Sequence, residues 1–411
     1  MKQRRFAMLA AAMMLGSMLT GCSTTQNGDL TAQVASEQTA KQIADEAFLA
    51  AETGFALSLM KETLQADPNG NLLLSPYSLM QVLALTANGA AGETQDEMRH
   101  TLGGVEPSAL NDYLCTQRKE MPDDRHARLR TANSVWLRES DVKDVKKDFL
   151  SCAKNQYDAG VFRAAFDYST VSDINEWCSD QTKGMIPKIT DHISEDTMMM
   201  LLNAVSFEAD WDEKYEEEPL PYLFTAAGNK SQTEMMMFFN EHAYLEDDNA
   251  TGFIKYYRGD KYCFAALLPK PGMTPEEYLT QLIPEDLRHM LLNPVHTNVY
   301  AGIPVFSLET ETDLIPALQK MGMQKAFQAD ADFSGMTDAP VQISEIMQKA
   351  KIQVDTDGTK ASAVTRESVV SGAPESSDGS KVVILERPFV YLILETEDMV
   401  PVFAGVMNRF D

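Results

Sequence analysis

The side chains of this 411-residue chain best suited to bond chemistry are Cys115, Cys152, Cys178 and Cys263, six histidines and two methionine triplets, and none is spaced for it. The cysteines include no C-x-x-C pair and fit no zinc pattern. Disulfides and buried thiols both remain open for them. No H-E-x-x-H motif, phosphate-cradling glycine loop or nucleophile elbow occurs. Asp355-Thr-Asp357-Gly358 begins like a calcium loop but lacks the later ligands. Met198 to Met200 and Met235 to Met237 are expected in core packing rather than around a soft metal. No metal, no cofactor and no enzymatic activity is expected.

What remains is residues 355–374, Asp-Thr-Asp-Gly-Thr-Lys-Ala-Ser-Ala-Val-Thr-Arg-Glu-Ser-Val-Val-Ser-Gly-Ala-Pro. Small and polar, the stretch has the composition of a linker, but it alternates. Thr359, Ala361, Ala363 and Thr365 share one face of an extended chain, and Lys360, Ser362, Val364 and Arg366 share the other. One face is slim enough to slide under a packed sheet while the other stays in water. No proline precedes Pro374, so every backbone N–H is available to a ladder. Gly358 stands at the head, where a hinge needs unusual backbone angles.

The elements around this segment are mixed. Ile43, Phe48, Phe55, Leu59 and Leu64 recur at helical intervals over residues 42–64, and Asp67-Pro-Asn-Gly70 stops them. Further helices are expected over residues 78–87 and 314–321. Strands are expected over residues 132–138, 198–207, 263–268, 299–306, 350–354, 382–385 and 390–394. Helices crowd the first third and strands the rest, an α+β arrangement.

Lys2, Arg4 and Arg5 precede an apolar run from Phe6 to about Leu19, the pattern of a secretory leader over residues 1–21. It ends in Leu19-Thr-Gly-Cys22, similar to a bacterial lipobox, in which Cys22 becomes the lipidated first residue. Several acyl chains on one cysteine anchor stably where a single chain does not. Residues 22–41, rich in Ser, Thr, Gln and Ala, read as a flexible tether, leaving 42–411 as the folded domain. The formal charge of −26 argues against nucleic acid, heparin-like polyanions or anionic lipid as partners. Solubility explains the acidity, and a basic protein partner would suit it. Contact with a membrane is expected through the lipid alone, on a bacterial cell envelope.

Motifs in one consistent order then carry a family resemblance. They include Asn71-Leu-Leu-Leu-Ser-Pro-Tyr-Ser-Leu79, Asn88-Gly-Ala-Ala-Gly-Glu-Thr94, Ala132-Asn-Ser-Val-Trp136, Asn175-Glu-Trp177 and Thr182-Lys-Gly-Met-Ile186. Leu202-Asn-Ala-Val-Ser-Phe207, Trp211, Leu318-Gln-Lys-Met-Gly-Met323 and Ala331-Asp-Phe-Ser-Gly335 follow. Val341-Gln-Ile-Ser-Glu-Ile-Met-Gln-Lys-Ala350 leads into the alternating segment, and Arg387-Pro-Phe-Val390 and Val402-Phe-Ala-Gly-Val406 come after it. Over roughly residues 48–411 the chain resembles the serpins, the serine-protease-inhibitor superfamily.

The resemblance implies three β-sheets, about nine helices and an exposed reactive-centre loop above the largest sheet. It implies a monomer that acts as a suicide inhibitor of serine, and also of cysteine, endopeptidases, trapping the acyl-enzyme as the loop inserts. Gly358, Thr359, Ala361, Ala363 and Thr365 would form the hinge, and Ser75, Ser78, Asn203, Gln348 and Trp211 the region that opens. Counting forward from Gly358 puts the reactive bond at Gly372-Ala373, with Val370-Ser371 the second choice. Counting back from Pro388 puts it near Ser377. Small apolar residues there suit an elastase-like or subtilisin-like pocket. The pattern departs from many inhibitory members in Thr356, where glutamate is usual, and in Gln348, where a histidine is common. Glu367 falls on the inward face. The alternative is a non-inhibitory serpin acting as a surface binding or chaperone-like protein.

Overall fold

The computed structural model describes residues 28–39, 41–121, 125–213, 215, 218–359 and 380–410. Its helices are α1 (Glu46–Leu64), α2 (Pro76–Ala87), α3 (Gly92–Thr101), α4 (Pro107–Glu120), α5 (Lys147–Asn155), α6 (Tyr168–Gln181), α7 (Pro275–Gln281), α8 (Pro284–Leu292) and α9 (Ile315–Lys320). The first eight strands are β1 (Leu72–Leu74), β2 (Ala127–Arg138), β3 (Gly160–Ala164), β4 (Met199–Asp210), β5 (Leu220–Ala226), β6 (Lys230–Glu246), β7 (Ala250–Tyr256) and β8 (Tyr262–Pro269). The rest are β9 (Val295–Pro304), β10 (Phe306–Asp313), β11 (Ile343–Val354), β12 (Gly358–Thr359), β13 (Lys381–Ile384), β14 (Phe389–Glu395) and β15 (Val400–Met407).

Two hydrogen-bonded networks result. A six-stranded sheet runs β10-β11-β12-β4-β2-β3, and a nine-stranded one runs β1-β15-β14-β8-β7-β6-β9-β13 with β5 on β6. The second joins two of the three expected sheets, because β6 is unbroken: its first part pairs with β5 and β9 and its last residues with β7.

Strand β4 shows why this sheet is a core element. Met199, Leu201, Val205 and Phe207 enter the main core beside α2, while Met200, Leu202 and Ala204 enter a second core with Trp136, Phe162 and Trp177. Alternation thus sends both sets into apolar surroundings, as a sheet covered on both faces requires. Helix α2 is buried all round, consistent with its lack of a polar face. Ser75 caps it, accepting from the Ser78 N–H, and Pro76 takes the first turn, where its missing N–H costs nothing.

Two expectations change. Ile43 is 74% exposed and lies before α1, because Asp45 caps that helix by accepting from the Phe48 N–H at 2.9 Å. The expected tether of residues 22–41 is docked from residue 28 onward. The Leu30 N–H donates to the Val161 carbonyl at 2.8 Å, and the Arg163 N–H donates to the Gly28 carbonyl at 3.1 Å. Asn155 holds the Glu37 N–H at 2.9 Å. Composition misses this docking because the partner is the unpaired backbone edge of β3, which needs no particular side chain.

Among the helices, Glu52 of α1 is a buried acid. One carboxylate oxygen accepts from Gln117 at 2.9 Å and the other has no hydrogen-bond partner. Burial pushes its carboxyl up to about 8. The folded state therefore holds this proton where the unfolded chain has released it, and the associated stability is lost as pH rises from about 4.5 through 8. Glu52→Gln should stabilise the protein at pH 8 in thermal melts, with the gain shrinking toward pH 5. An equal effect at both pH values would show that Glu52 does not titrate in this way.

Candidate functional site

Strands β11 and β4 are neighbours and run parallel, with Ile346 opposite Leu201, Gln348 opposite Asn203 and Lys351 opposite Ser206. Above this stretch they part. The chain leaves β11 at Val354, turns through residues 355–358, and re-enters between them as β12. Thr359 pairs antiparallel with Val354 on one side and Ala209 on the other, and Gly358 pairs with Asp210. A strand lying between parallel neighbours can be antiparallel to both, as Thr359 of β12 is.

The turn is held from within. The Asp355 N–H donates to the Gly358 carbonyl at 2.9 Å, and the Asp355 carboxylate accepts from the N–H groups of Asp357 and Gly358 at 2.9 and 3.2 Å. Gly358 has φ +154°, and a Cβ there would lie 1.9 Å from the Ala209 carbonyl oxygen. Only glycine allows that approach. The Thr359 side chain is fully buried, with its hydroxyl 2.8 Å from the Tyr257 phenol. Burial holds that phenol far above its ordinary range, so it stays protonated and neutral.

Trp211 braces the same turn. Its indole N–H donates to the Asp355 carbonyl at 2.8 Å and its backbone N–H to the Asp357 carbonyl at 3.0 Å. The ring stacks on Tyr257 with centroids 4.4 Å apart and planes 5° from parallel. One aromatic pair therefore touches Asp355, Asp357 and Thr359.

Lower in the sheet, buried amides bridge three strands. Gln348 of β11 donates to the Asn203 side-chain carbonyl of β4 at 2.5 Å, and Asn203 donates to Asn133 of β2 at 2.5 Å. Asn203 also donates to the Ser78 hydroxyl at 2.5 Å. Gln348 accepts from the Ser75 N–H at 2.7 Å and donates to the Ser75 carbonyl at 3.0 Å, while the Ser75 hydroxyl donates to the Val402 carbonyl at 2.7 Å. The α2 N-terminus is thereby pinned to the seam between β11 and β4. Any strand entering that seam must break the Gln348–Asn203 bond.

The profile of the family described as Serpin (serine protease inhibitor) matches residues 50–409. The chain belongs to the serpin family. Among solved structures it is similar to the thermophilic serpin tengpin in its native state, with TM-score 0.87 and 36% identity over 93% of this chain and 99% of that one. Against tengpin in the latent state the TM-score is 0.79, at 35% identity over 90% of this chain and 100% of that one. An uncharacterized serpin-like protein of Thermococcus kodakarensis is 28% identical over 367 residues, 87% of this chain and 84% of its own length.

Within the serpin fold the structure brings Gly358, Thr359 and Trp211 together at the top of the seam, and Ser75, Ser78, Asn203 and Gln348 halfway down it. Ala361, Ala363, Thr365, the bonds Gly372-Ala373 and Val370-Ser371, and Cys22 lie outside the described residues. Sequence reasoning left out Asn133 and Tyr257. Asn133 sits in a quoted motif, opposite Asn203 in the register. The doublet Tyr256-Tyr257 gives no sign of which ring faces inward.

Glutamine at position 348 supplies donor and acceptor without a titrating group. Opening of this seam should therefore not respond to position 348 between pH 5 and 8. Gln348→His should introduce a response, with opening faster at pH 5.5 than at 7.5, because burial penalises imidazolium in the closed sheet. Hydrogen exchange of the β4 amides at both pH values checks this, after correction for intrinsic exchange. A variant as pH-independent as the parent would show that position 348 does not gate the seam.

Proposed function

We propose that this serpin inhibits serine endopeptidases by running residues 360 onward down the seam between β11 and β4 after cleavage. The observation that carries the reading is β12 itself, two residues of added strand paired with β4, the second of which, Thr359, is also paired with β11. Carried downward unchanged, its register sets Ala361 against Phe207, Ala363 against Val205, and Thr365 between Asn203 and Gln348. The small face then meets the side of the sheet that Phe207 and Val205 already fill. The Thr365 hydroxyl arrives where the Gln348–Asn203 bond must break, so it offers those amides a replacement partner.

The chemistry belongs to the protease. Its serine oxygen attacks the Gly372 carbonyl, the Ala373 amine leaves with a proton, and Gly372 is held as an ester on the enzyme. Hydrolysis of that ester needs an intact oxyanion hole. Gly372 lies thirteen positions beyond Thr359, so insertion carries the ester about 40 Å down the sheet. Inhibition succeeds when this travel is faster than deacylation. The same register brings Glu367 to the level of Leu201 and Ile346, both fully buried, where a charged carboxylate is costly.

An elastase-like or subtilisin-like target fits the small residues around the bond, and the acidic surface suits a basic enzyme. We place the protein on a bacterial cell envelope, anchored through Cys22, on the strength of the leader and the Leu-Thr-Gly-Cys motif; labelled palmitate incorporation lost on Cys22→Ala checks that address.

Protein mixed with pancreatic elastase or subtilisin should give a band at the summed mass on denaturing gels. Thr359→Arg should abolish it and leave a cleaved loop, because the larger cation must enter the fully buried position beside Tyr257. Glu367→Ala should lower the number of serpin molecules consumed per enzyme inhibited. Cleavage with no covalent band for the parent protein across both enzymes would contradict the reading.

A further inference from the structure

Beneath Trp211 lies an ion pair that the hinge and seam do not explain. Lys255 of β7 is only 3% exposed, and its ammonium donates to the Glu241 carboxylate of β6 at 3.0 Å. The same ammonium faces three rings, those of Phe239 at 4.4 Å, Tyr215 at 5.1 Å and Trp211 at 5.4 Å from their centroids. Tyr215 packs edge-on against Phe239, and Phe239 against Phe253, so the box is built from β6, β7 and the segment after β4. Replacing such a pair with apolar side chains of similar volume is often neutral for stability. Its position points to a different role: Trp211 sits between the cation and the turn, with Lys255 over its ring and Asp355 and Asp357 on its N–H groups.

We propose that the Lys255–Glu241 pair is a positioning device that fixes Trp211 against the 355–358 turn and so keeps the β11–β12 hairpin formed before any protease arrives. This rests on the insertion reading above and adds what sets its speed. The turn joining β11 to β12 is the one from which a longer inserted strand would grow. A chain that already holds this hairpin has no nucleation step to complete after cleavage, whereas a chain that must first form it loses time to deacylation. Desolvated cation–π contacts orient the indole, and Glu241 keeps the ammonium from being buried without a counter-charge. Lys255 therefore acts through Trp211 without touching the loop or the protease.

The test uses the whole uncleaved protein and the double variant Lys255→Met/Glu241→Gln, which removes the cation and leaves no unpaired charge. The melting temperature is expected to be unchanged or higher. Hydrogen exchange at the amides of Trp211, Asp355, Asp357 and Gly358 should be about three- to tenfold faster, with no matching change in β14 or β15. More serpin should be consumed for each elastase inhibited. Unchanged exchange at those four amides, or a uniform acceleration throughout the molecule, would overturn the inference. The single variant Lys255→Arg, which keeps a cation for the rings, should exchange like the parent; exchange as fast as in the double variant would also overturn it. Should the parent form no covalent complex with any protease, the inhibitory reading fails, while the exchange comparison still decides whether the pair holds the hinge.

Discussion

For the proposed insertion to work, the seam between β11 and β4 has to be strong enough to keep the sheet shut and weak enough to open along its length. Backbone hydrogen bonds between two parallel strands supply most of the closure, and such bonds have equivalent partners on an incoming strand, so exchanging them costs little net energy. The side-chain bond from Gln348 to Asn203 is different. It crosses the seam, belongs to a network that includes the α2 cap, and must break when the seam opens. The rest of the site lies above that bond: the β11–β12 hairpin, and the Trp211–Tyr257 pair that holds it.

The two edges of the sheet are treated differently. The outer edge of β3 is covered by residues 28–30 through backbone hydrogen bonds, closing a row of donors and acceptors to other chains. The interior gap at the top of β11 and β4 is entered, among the described residues, by Gly358 and Thr359 of β12, with Thr359 buried and Gly358 too near the Ala209 carbonyl for any Cβ. Backbone pairing thus closes the outer edge, while β12 enters the interior gap. The buried Lys255–Glu241 pair lies behind the beginning strand rather than in the seam, where its charges would obstruct entry.

Much of this was legible in the residues, and what was not has a physical cause. The alternation of Thr359, Ala361, Ala363 and Thr365 marks a face that can be buried, since period two is a property of any extended chain. Gly358 could be read as a hinge because it stands at the head of the alternating segment, where unusual backbone angles are needed. Helix α2 was recognisable from a solid apolar run, and α1 from its spacing, although Ile43 fell outside it because the Asp45 cap outranks one more apolar residue in setting the start. Docking of residues 28–39 was hidden, since backbone pairing leaves no mark in composition. Lys255 was hidden too: a lone lysine between Ile254 and Tyr256 reads as a solvent-facing strand position, and only the three-dimensional meeting of Trp211, Tyr215 and Phe239 gives it a buried place.

The central claim is that residues beyond Thr359 have a lower-energy home inside the six-stranded sheet than outside it. The most direct measurement is the melting temperature before and after one cut within residues 360–379, made by a protease that is not itself trapped. Insertion would add roughly ten ladder hydrogen bonds at about 1 kcal/mol each, so for a domain of this size the account predicts a rise of about 10–15 °C. An unchanged or lower melting temperature after that cut would contradict it.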